Sequence, residues 1–241
     1  MSDLYLIVDL FKPSWSANSD PNLIINNIMV LINTHLSLSF NNRLILISNL
    51  EKIVIDGMNR HEISTDLFIL KDRQTMARDI GLAMALINAH NRNPVKSQES
   101  TDEKSEQPTK TAKMVVISLS KECKDDYMLY LKSAFVARRL RNDMNNKHRS
   151  ESFDIFIFSK FKNFALFELG NFFMDFKLVN MLSIFTGLKH ERVVLSQARC
   201  ICHGKTILYG MTCPVCLSVY CKPVAICQKC RARFNFKRGL K

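Results

Sequence analysis

Cys213-Pro-Val-Cys216 and Cys227-Gln-Lys-Cys230 are two Cys-x-x-Cys pairs separated by ten residues. Each pair can fold back on itself and present two thiolates to one ion. Two such knuckles complete a tetrahedral shell with no position left for water, which makes a structural site rather than a catalytic one. Cys200-Ile-Cys202-His203 and Cys221 stand close by. Counted with the two pairs, they give seven cysteines and one histidine, the eight ligands of two tetrahedral sites in a cross-braced order. Cys200, Cys202 and His203 are crowded within four residues, however, and placing all three on one ion strains the backbone. The expectation is therefore one structural zinc ion at Cys213, Cys216, Cys227 and Cys230. A second site from Cys200, Cys202, His203 and Cys221 stays open, the alternative being buried thiols that pack the module. A redox dithiol is the competing use of a Cys-x-x-Cys, and two spaced pairs argue against it.

Seven of the eight cysteines fall between Cys200 and Cys230, and Cys123 alone lies outside. In a reducing compartment such clustering reads as metal binding rather than cross-linking. A segment of about 40 residues cannot bury enough core to fold alone. The ion would supply the missing energy, on the order of 10–16 kcal/mol in small zinc peptides. The same segment is basic. The chain has 34 Lys/Arg and 22 Asp/Glu, a net charge of +12. Nine of the basic residues (Arg199, Lys205, Lys222, Lys229, Arg231, Arg233, Lys237, Arg238 and Lys241) lie from Arg199 onward, with no Asp or Glu among them. Four thiolates on one zinc ion contribute −2 and leave this tail at about +7. Such a tail suits nucleic acid, an acidic protein partner, or plain solubility.

The elements that must carry this module precede it. Leu4–Leu10, Arg43–Leu50 and Met114–Leu119 are near-continuous apolar runs of the kind buried on both faces of a parallel sheet, and Phe153–Phe158 is strand-like. Asp20-Pro21 offers an N-cap and a first-turn proline, followed by Ile24, Ile28, Leu31 and His35 at helical spacing. Arg73–His90 and Asp125–Asp143 carry apolar helical stripes. Lys52–Ile55, the Asp56-Gly57 turn and Asp66–Leu70 suggest a hairpin-like third strand with a longer loop. The phenylalanine-rich stretch up to Gly187 reads as helix, short strand, helix. Asn91–Lys113 is almost free of apolar residues and reads as a disordered loop inserted in the first domain. Strands alternating with helices imply an α/β domain, with a mostly parallel sheet and helices on both faces. No apolar run reaches the roughly 18 residues that span a bilayer. The start Met-Ser-Asp, leading straight into Leu4, offers neither the basic region nor the cleavage site of a signal peptide. An intracellular protein without membrane contact is expected.

The run RCICHGKTILYGMTCPVCLSVYCKPVAICQKCRARF resembles the zinc-finger end of the small von Willebrand A subunit of the general transcription and DNA-repair factor TFIIH. The spacing of Cys200, Cys202, His203, Cys213, Cys216, Cys221, Cys227 and Cys230 follows the family's, as does Leu217-Ser218 after the first pair. LYLIVDLFKPSW is similar to the family's first strand and the segment after it, with Asp9, Pro13 and Trp15 in place. Between about residues 41 and 66, and after Phe158, the resemblance is loose. It implies a Rossmann-like von Willebrand A domain over residues 1–190, followed by a basic four-cysteine zinc finger over 199–241. It further implies a nuclear, non-catalytic scaffold of the TFIIH core complex, active in transcription initiation by RNA polymerase II and in nucleotide excision repair. Its partners would be the larger von Willebrand A/RING subunit and the helicase subunits.

Three other readings compete. Adhesive von Willebrand A domains hold magnesium through Asp-x-Ser-x-Ser, but here Asp9 is followed by Leu10, Phe11, Lys12 and Pro13, which offer no ligand oxygen. Thr75 reads as a helix N-cap, and no magnesium is expected. A hydrolase needs a nucleophile, a base and an orienting group. His35, His61, His90, His148, His190 and His203 sit in unrelated contexts, no Gly-x-Ser-x-Gly or phosphate-cradling loop occurs, and Cys123 has no partner in sequence. No catalytic activity is expected. Eight cross-braced ligands would also suit a RING-like ubiquitin ligase. The basic tail, with Tyr220, Phe234 and Phe236 interleaved, would suit a stand-alone nucleic-acid-binding zinc protein or a DNA contact within the complex.

Overall fold

A computed structural model describes residues 2–57, 65–92, 111–121, 126–146, 153–161, 166, 169–186, 199–207 and 209–234. Six strands form one sheet in the order β3-β2-β1-β4-β5-β6. They are β1 (Ser2–Val8), β2 (Arg43–Ser48), β3 (Glu51–Asp56), β4 (Thr111–Ser118), β5 (Phe153–Ser159) and β6 (Asn171–Phe173). All pair in parallel except β3, which runs antiparallel to β2. The helices are α1 (Lys12–Ser16), α2 (Pro21–Leu38), α3 (Met76–Arg92), α4 (Tyr127–Asn146) and α5 (Leu178–Leu182). This is a doubly wound, mostly parallel α/β sheet with helices on both faces.

The near-continuous apolar runs form the central strands because both faces are covered. Leu4, Leu6 and Val8 of β1 pack toward α2 and α5 with Leu44, Leu46, Val115 and Ile117. Tyr5 and Ile7 face the opposite way, onto α3 and α4 with Ile45, Ile47, Met114 and Val116. A period of two thus sends alternate residues into two separate cores. At the far edge β6 can reach β5 because residue 170 is glycine: a Cβ there would lie 2.3 Å from the Ile155 carbonyl oxygen.

Four sequence expectations are adjusted. Residues 65–68 form a 3-10 turn instead of a strand. β3 pairs instead with β2 across a tight turn at Asn49 and Leu50, both at positive φ (54° and 65°). The Asp79 carboxylate fixes that turn by accepting the amides of Asn49 (3.1 Å) and Leu50 (2.7 Å). The loop expected over 91–113 overlaps regular elements at both ends. Asn91 and Arg92 finish α3, Thr111–Lys113 begin β4, and the residues between lie outside the described ones. The stretch after β5 contains the short strand and the second helix, while of the first helix only Leu166 is described. Asp20 stands at the N-cap of α2, but its side chain makes no capping hydrogen bond. Among the described residues no helix is long and apolar enough to cross a membrane.

At the edge of the sheet where β1 and β2 begin, Arg43 clamps Asp3 with two hydrogen bonds (2.9 and 2.7 Å). His35 of α2 is 1% exposed, stacks on Phe185 and holds the Arg43 carbonyl oxygen at 3.2 Å through Nε2. Burial, followed by the positive charge of Lys113, lowers its pKa, against the opposing pull of the Arg43 contact and Asp3. The folded chain thus refuses a proton that the unfolded chain accepts below about pH 6.5. This contribution to stability is whole above that pH and lost as the pH falls through it. Thermal melts from pH 8 to 5 should show a declining midpoint that flattens in His35→Gln. An equal decline in both proteins would assign the acid lability elsewhere.

Candidate metal centre

The C-terminal module has little regular structure to define it: a two-stranded ribbon of β7 (Met211–Thr212) and β8 (Val219–Tyr220), with two isolated bridges, Arg199 to Thr206 and Ile226 to Arg233. Three turns of one design shape it. The amide of Gly204 donates to the Cys200 carbonyl (2.8 Å), that of Leu217 to Cys213 (2.8 Å) and that of Arg231 to Cys227 (3.0 Å). The closing residue of each turn is left-handed, at φ 68°, 57° and 63° respectively. Each turn directs a first ligand and its followers inward.

The expected ligands converge. Cys213, Cys216, Cys227 and Cys230 place their sulfurs within 4.8 Å of one another, and Cys200, Cys202, His203 and Cys221 place theirs likewise with a ring nitrogen. Closest across the first group are Cys216 to Cys227 at 3.5 Å and Cys213 to Cys230 at 3.6 Å. In the second, His203 Nδ1 lies 3.4 Å from Cys221 Sγ and 3.7 Å from Cys200 Sγ. The crowding of Cys200, Cys202 and His203 does not keep them apart, because the strain falls on Gly204, where a left-handed φ costs little. The two groups alternate along the chain, so each is tied to the other. Both could hold a metal ion. Among the described residues no other cluster of His, Cys, Asp and Glu does so.

Hydrogen bonding prepares some sulfurs to ionise. Burial raises the Cys227 thiol, but the amides of Cys230 and Lys229 and the Tyr220 hydroxyl outweigh it and bring the thiol to about 6. The Gln228 amide donates to the phenol oxygen (2.9 Å), so the Tyr220 hydroxyl is free to donate to Cys227 Sγ (3.1 Å). Cys200 is brought to about 5 against burial, by the amide of Cys221, by His203, by the Cys221 thiol and by the amide of Cys202. Their neighbours go the other way: burial and then adjoining thiols push Cys230 up to about 12, and burial and then Cys200 raise Cys202. Within their groups Cys227 and Cys200 thus ionise ahead of Cys230 and Cys202. Four adjacent thiolates are compatible only with a cation among them.

The module rests on the domain. Leu131 of α4 is buried among Cys213, Cys216, Tyr220 and Cys227, with Tyr127, Met128, Val224 and Phe234 around it. The Tyr127 hydroxyl donates to the Cys216 carbonyl at 3.5 Å, and Lys229 Nζ sits 4.3 Å from the centre of the Tyr127 ring. This docking on α4 was invisible in the sequence. The same packing corrects the stacking platform proposed for the tail. Tyr220 is 1% exposed and Phe234 is partly buried in the module's own core, and Phe236 lies outside the described residues. The positive charge remains without those two ring faces.

The degenerate adhesion position is built otherwise. Asp9 is 3% exposed, and its two oxygens accept the amides of Phe11 (3.3 Å) and Ser120 (3.0 Å). Thr75 stands just before α3 with its carbonyl accepting the amides of Arg78 and Asp79, but its hydroxyl donates to Asp79 (2.8 Å) instead of capping an amide. Of the remaining candidates, Cys123, His61, His148 and His190 lie outside the described residues, and His90 lies on α3.

No family model matches the chain. A 39-residue stretch, 16% of this chain, is 41% identical to the general transcription and DNA repair factor IIH subunit tfb4 of Schizosaccharomyces pombe, and it spans 13% of that protein's length. Among solved structures, the TFIIH p34 N-terminal domain is similar at 16% identity and TM-score 0.47, covering 76% of this chain and 94% of that one. BatB from Bacteroides thetaiotaomicron is similar at 12% identity and TM-score 0.34, covering 66% and 67%. Proximal thread matrix protein 1 of the mussel byssus follows at 9% identity and TM-score 0.38, covering 76% and 46%. The resemblance to a TFIIH subunit drawn from the sequence thus meets a curated TFIIH subunit over one short stretch.

Proposed function

We propose that this chain is a non-catalytic structural subunit of a TFIIH core complex, acting in the nucleus in transcription initiation and nucleotide excision repair. In this reading residues 1–190 are a von Willebrand A-like domain and residues 199–241 a basic zinc finger. It holds the larger von Willebrand A/RING subunit, and through it the helicase subunits, in place. One observation supports it above the others: both four-ligand groups lie in one small module braced against α4, which makes a rigid two-part surface and no reaction centre. Cysteine sulfur and imidazole in fours suit zinc, and we assign Cys213, Cys216, Cys227 and Cys230 to one structural ion and Cys200, Cys202, His203 and Cys221 to a second.

Purified full-length chain mixed with the larger subunit should co-elute as one species, with a native mass of one copy of each and two zinc ions on this chain. Separate elution of zinc-loaded proteins would overturn the scaffold reading. The alternation of the two ligand groups also favours a RING-like ubiquitin ligase, and discharge of a ubiquitin-loaded conjugating enzyme by the same preparation would decide for it. A stand-alone nucleic-acid protein would instead show DNA affinity falling steeply with salt.

A further inference from the structure

The two ligand groups have unequal surroundings. Cys213, Cys216 and Cys227 are buried and Cys230 is half-buried. In the other group only Cys200 is buried; Cys202 is half-buried, and His203 and Cys221 are exposed. The α4 helix makes the difference. Its Leu131 packs among Cys213, Cys216, Tyr220 and Cys227, and of the other four ligands only Cys202 reaches that core, at its edge. Dependence within the backbone also runs one way. The first group is set by the amides of Leu217 and Arg231 donating to Cys213 and Cys227, and by those of Cys213 and Cys227 donating to Ser218 and Ala232. None of these bonds uses a ligand of the second group. The second group hangs on the first: Ile201 donates to the Val219 carbonyl (2.9 Å), and Cys221, directly after β8, donates its amide to Cys200 Sγ (3.3 Å).

An oxidant must touch a ligand sulfur to react with it, so cysteine oxidation follows thiolate character and exposure. Resting on the two-ion assignment above, we propose that Cys200, Cys202, His203 and Cys221 form a peroxide-sensitive zinc switch, which opens while Cys213, Cys216, Cys227 and Cys230 keep their ion. Cys221 is the sulfur that reacts first. Its thiolate attacks one oxygen of the peroxide, the O–O bond breaks and hydroxide leaves, so Cys221 becomes a sulfenic acid. Cys202, whose sulfur lies within 4.8 Å, then attacks the Cys221 sulfur, closes a disulfide and expels a second hydroxide. Two thiolates lose two electrons, the peroxide gains them, and zinc keeps its charge. Cys200 is the poorer resolving sulfur, being buried and held by the amides of Cys202 and Cys221 at 3.3 Å each. Cys200 and His203 are then two ligands where four are needed, and the ion is released. The turn at Cys200 slackens, while the first group keeps its seat on α4.

Zinc-loaded full-length chain titrated with hydrogen peroxide, followed by native mass and by peptide mapping after alkylation, tests this. The expected product has lost one ion, carries a Cys202–Cys221 disulfide, and keeps Cys213, Cys216, Cys227 and Cys230 reduced. Amide exchange over Tyr127–Leu131 should be unchanged, and dithiothreitol with zinc should restore the second ion. Cys221→His retains a ligand but removes the reacting sulfur, so it should hold two ions and release neither at the same peroxide concentration. If this variant takes up one ion only, the disulfide map of the unaltered chain decides. Loss of both ions together, earlier oxidation in the first group, or release with Cys221 still reduced overturns the switch and leaves the two-ion assignment standing. A starting mass with fewer than two zinc ions overturns both.

Discussion

Cys213→Ser and Cys230→Ser should each unfold the C-terminal module and release zinc, leaving the α/β domain standing. Serine keeps the shape of the side chain but offers a hard hydroxyl in place of a soft thiolate, so the ion loses a ligand it cannot replace. The module has almost nothing else to hold it. Its regular structure is one two-residue ribbon, and its core is a few side chains around Tyr220 and the cysteines. An energy on the order of 10 kcal/mol therefore disappears with the site. The loss should spread, because Cys221 of the second group lies in the chain between Cys216 and Cys227 of the first. Once that stretch is slack, the second group loses its fourth ligand. The expected native mass is thus lower by both ions, not by one. The sheet has its own two cores and should keep its far-ultraviolet circular dichroism. Tyr127 and Leu131 become exposed, and amide exchange over the first turns of α4 should quicken. Binding to the larger subunit should fall below detection. A chain carrying either substitution with its full zinc content would contradict the ligand assignment.

The strands and the clustering of the paired cysteines could be read from the sequence because each has a local signature. A strand covered on both faces is apolar at every position, as in Leu4–Val8 and Met114–Ile117, and two Cys-x-x-Cys pairs announce their geometry in their spacing. What could not be read depended on partners distant in the chain. Residues 65–68 look strand-like alone, yet Phe68 is drawn into the core beneath α2 and the segment turns there. The real β2–β3 turn at Asn49-Leu50 has no glycine to mark it, since its geometry is imposed by Asp79, some thirty residues later. Thr111–Lys113 belong to a strand despite a polar approach, because their neighbours are already fixed: Lys113 sits opposite Leu4 and donates to the Ile184 carbonyl (2.8 Å).

The tail shows the same division. The sequence places eight candidate ligands in alternating order, and the strain expected from crowding Cys200, Cys202 and His203 falls on Gly204 at positive φ. Aromatic residues interleaved with cations looked like a base-stacking face, whereas Tyr220 is spent on Cys227 and Phe234 on the module's interior. Composition reports that a ring is present, and only packing says which way it faces.

Asp9→Ala should destabilise the α/β domain by about 2–6 kcal/mol, and magnesium should have no part in the effect. Removing the carboxylate leaves the amides of Phe11 and Ser120 in a site that is 3% exposed, and each orphaned buried donor costs roughly 1–3 kcal/mol. These bonds tie the end of β1 to the residues just after β4, so the loss falls on the two central strands. Trp15 donates its ring N–H to the Asp9 carbonyl and would survive only in a loosened setting. The charge itself works against the fold. Burial raises the pKa of Asp9, opposed by the contacts from Ser120, Phe11 and Leu119. Its titration therefore favours the folded state below the ordinary value of about 3.9, and that benefit is lost as the pH rises through the raised one. The carboxylate is kept for the amides it accepts, not for its charge. Were the position a cation site, millimolar magnesium would raise the melting temperature of the unaltered chain by mass action and leave Asp9→Ala unmoved. The expected result is the same midpoint with and without magnesium for the unaltered chain, and a large drop in Asp9→Ala under both conditions. A magnesium-dependent rise abolished by the substitution would return Asp9 to the cation-binding role that Phe11, Lys12 and Pro13 argue against.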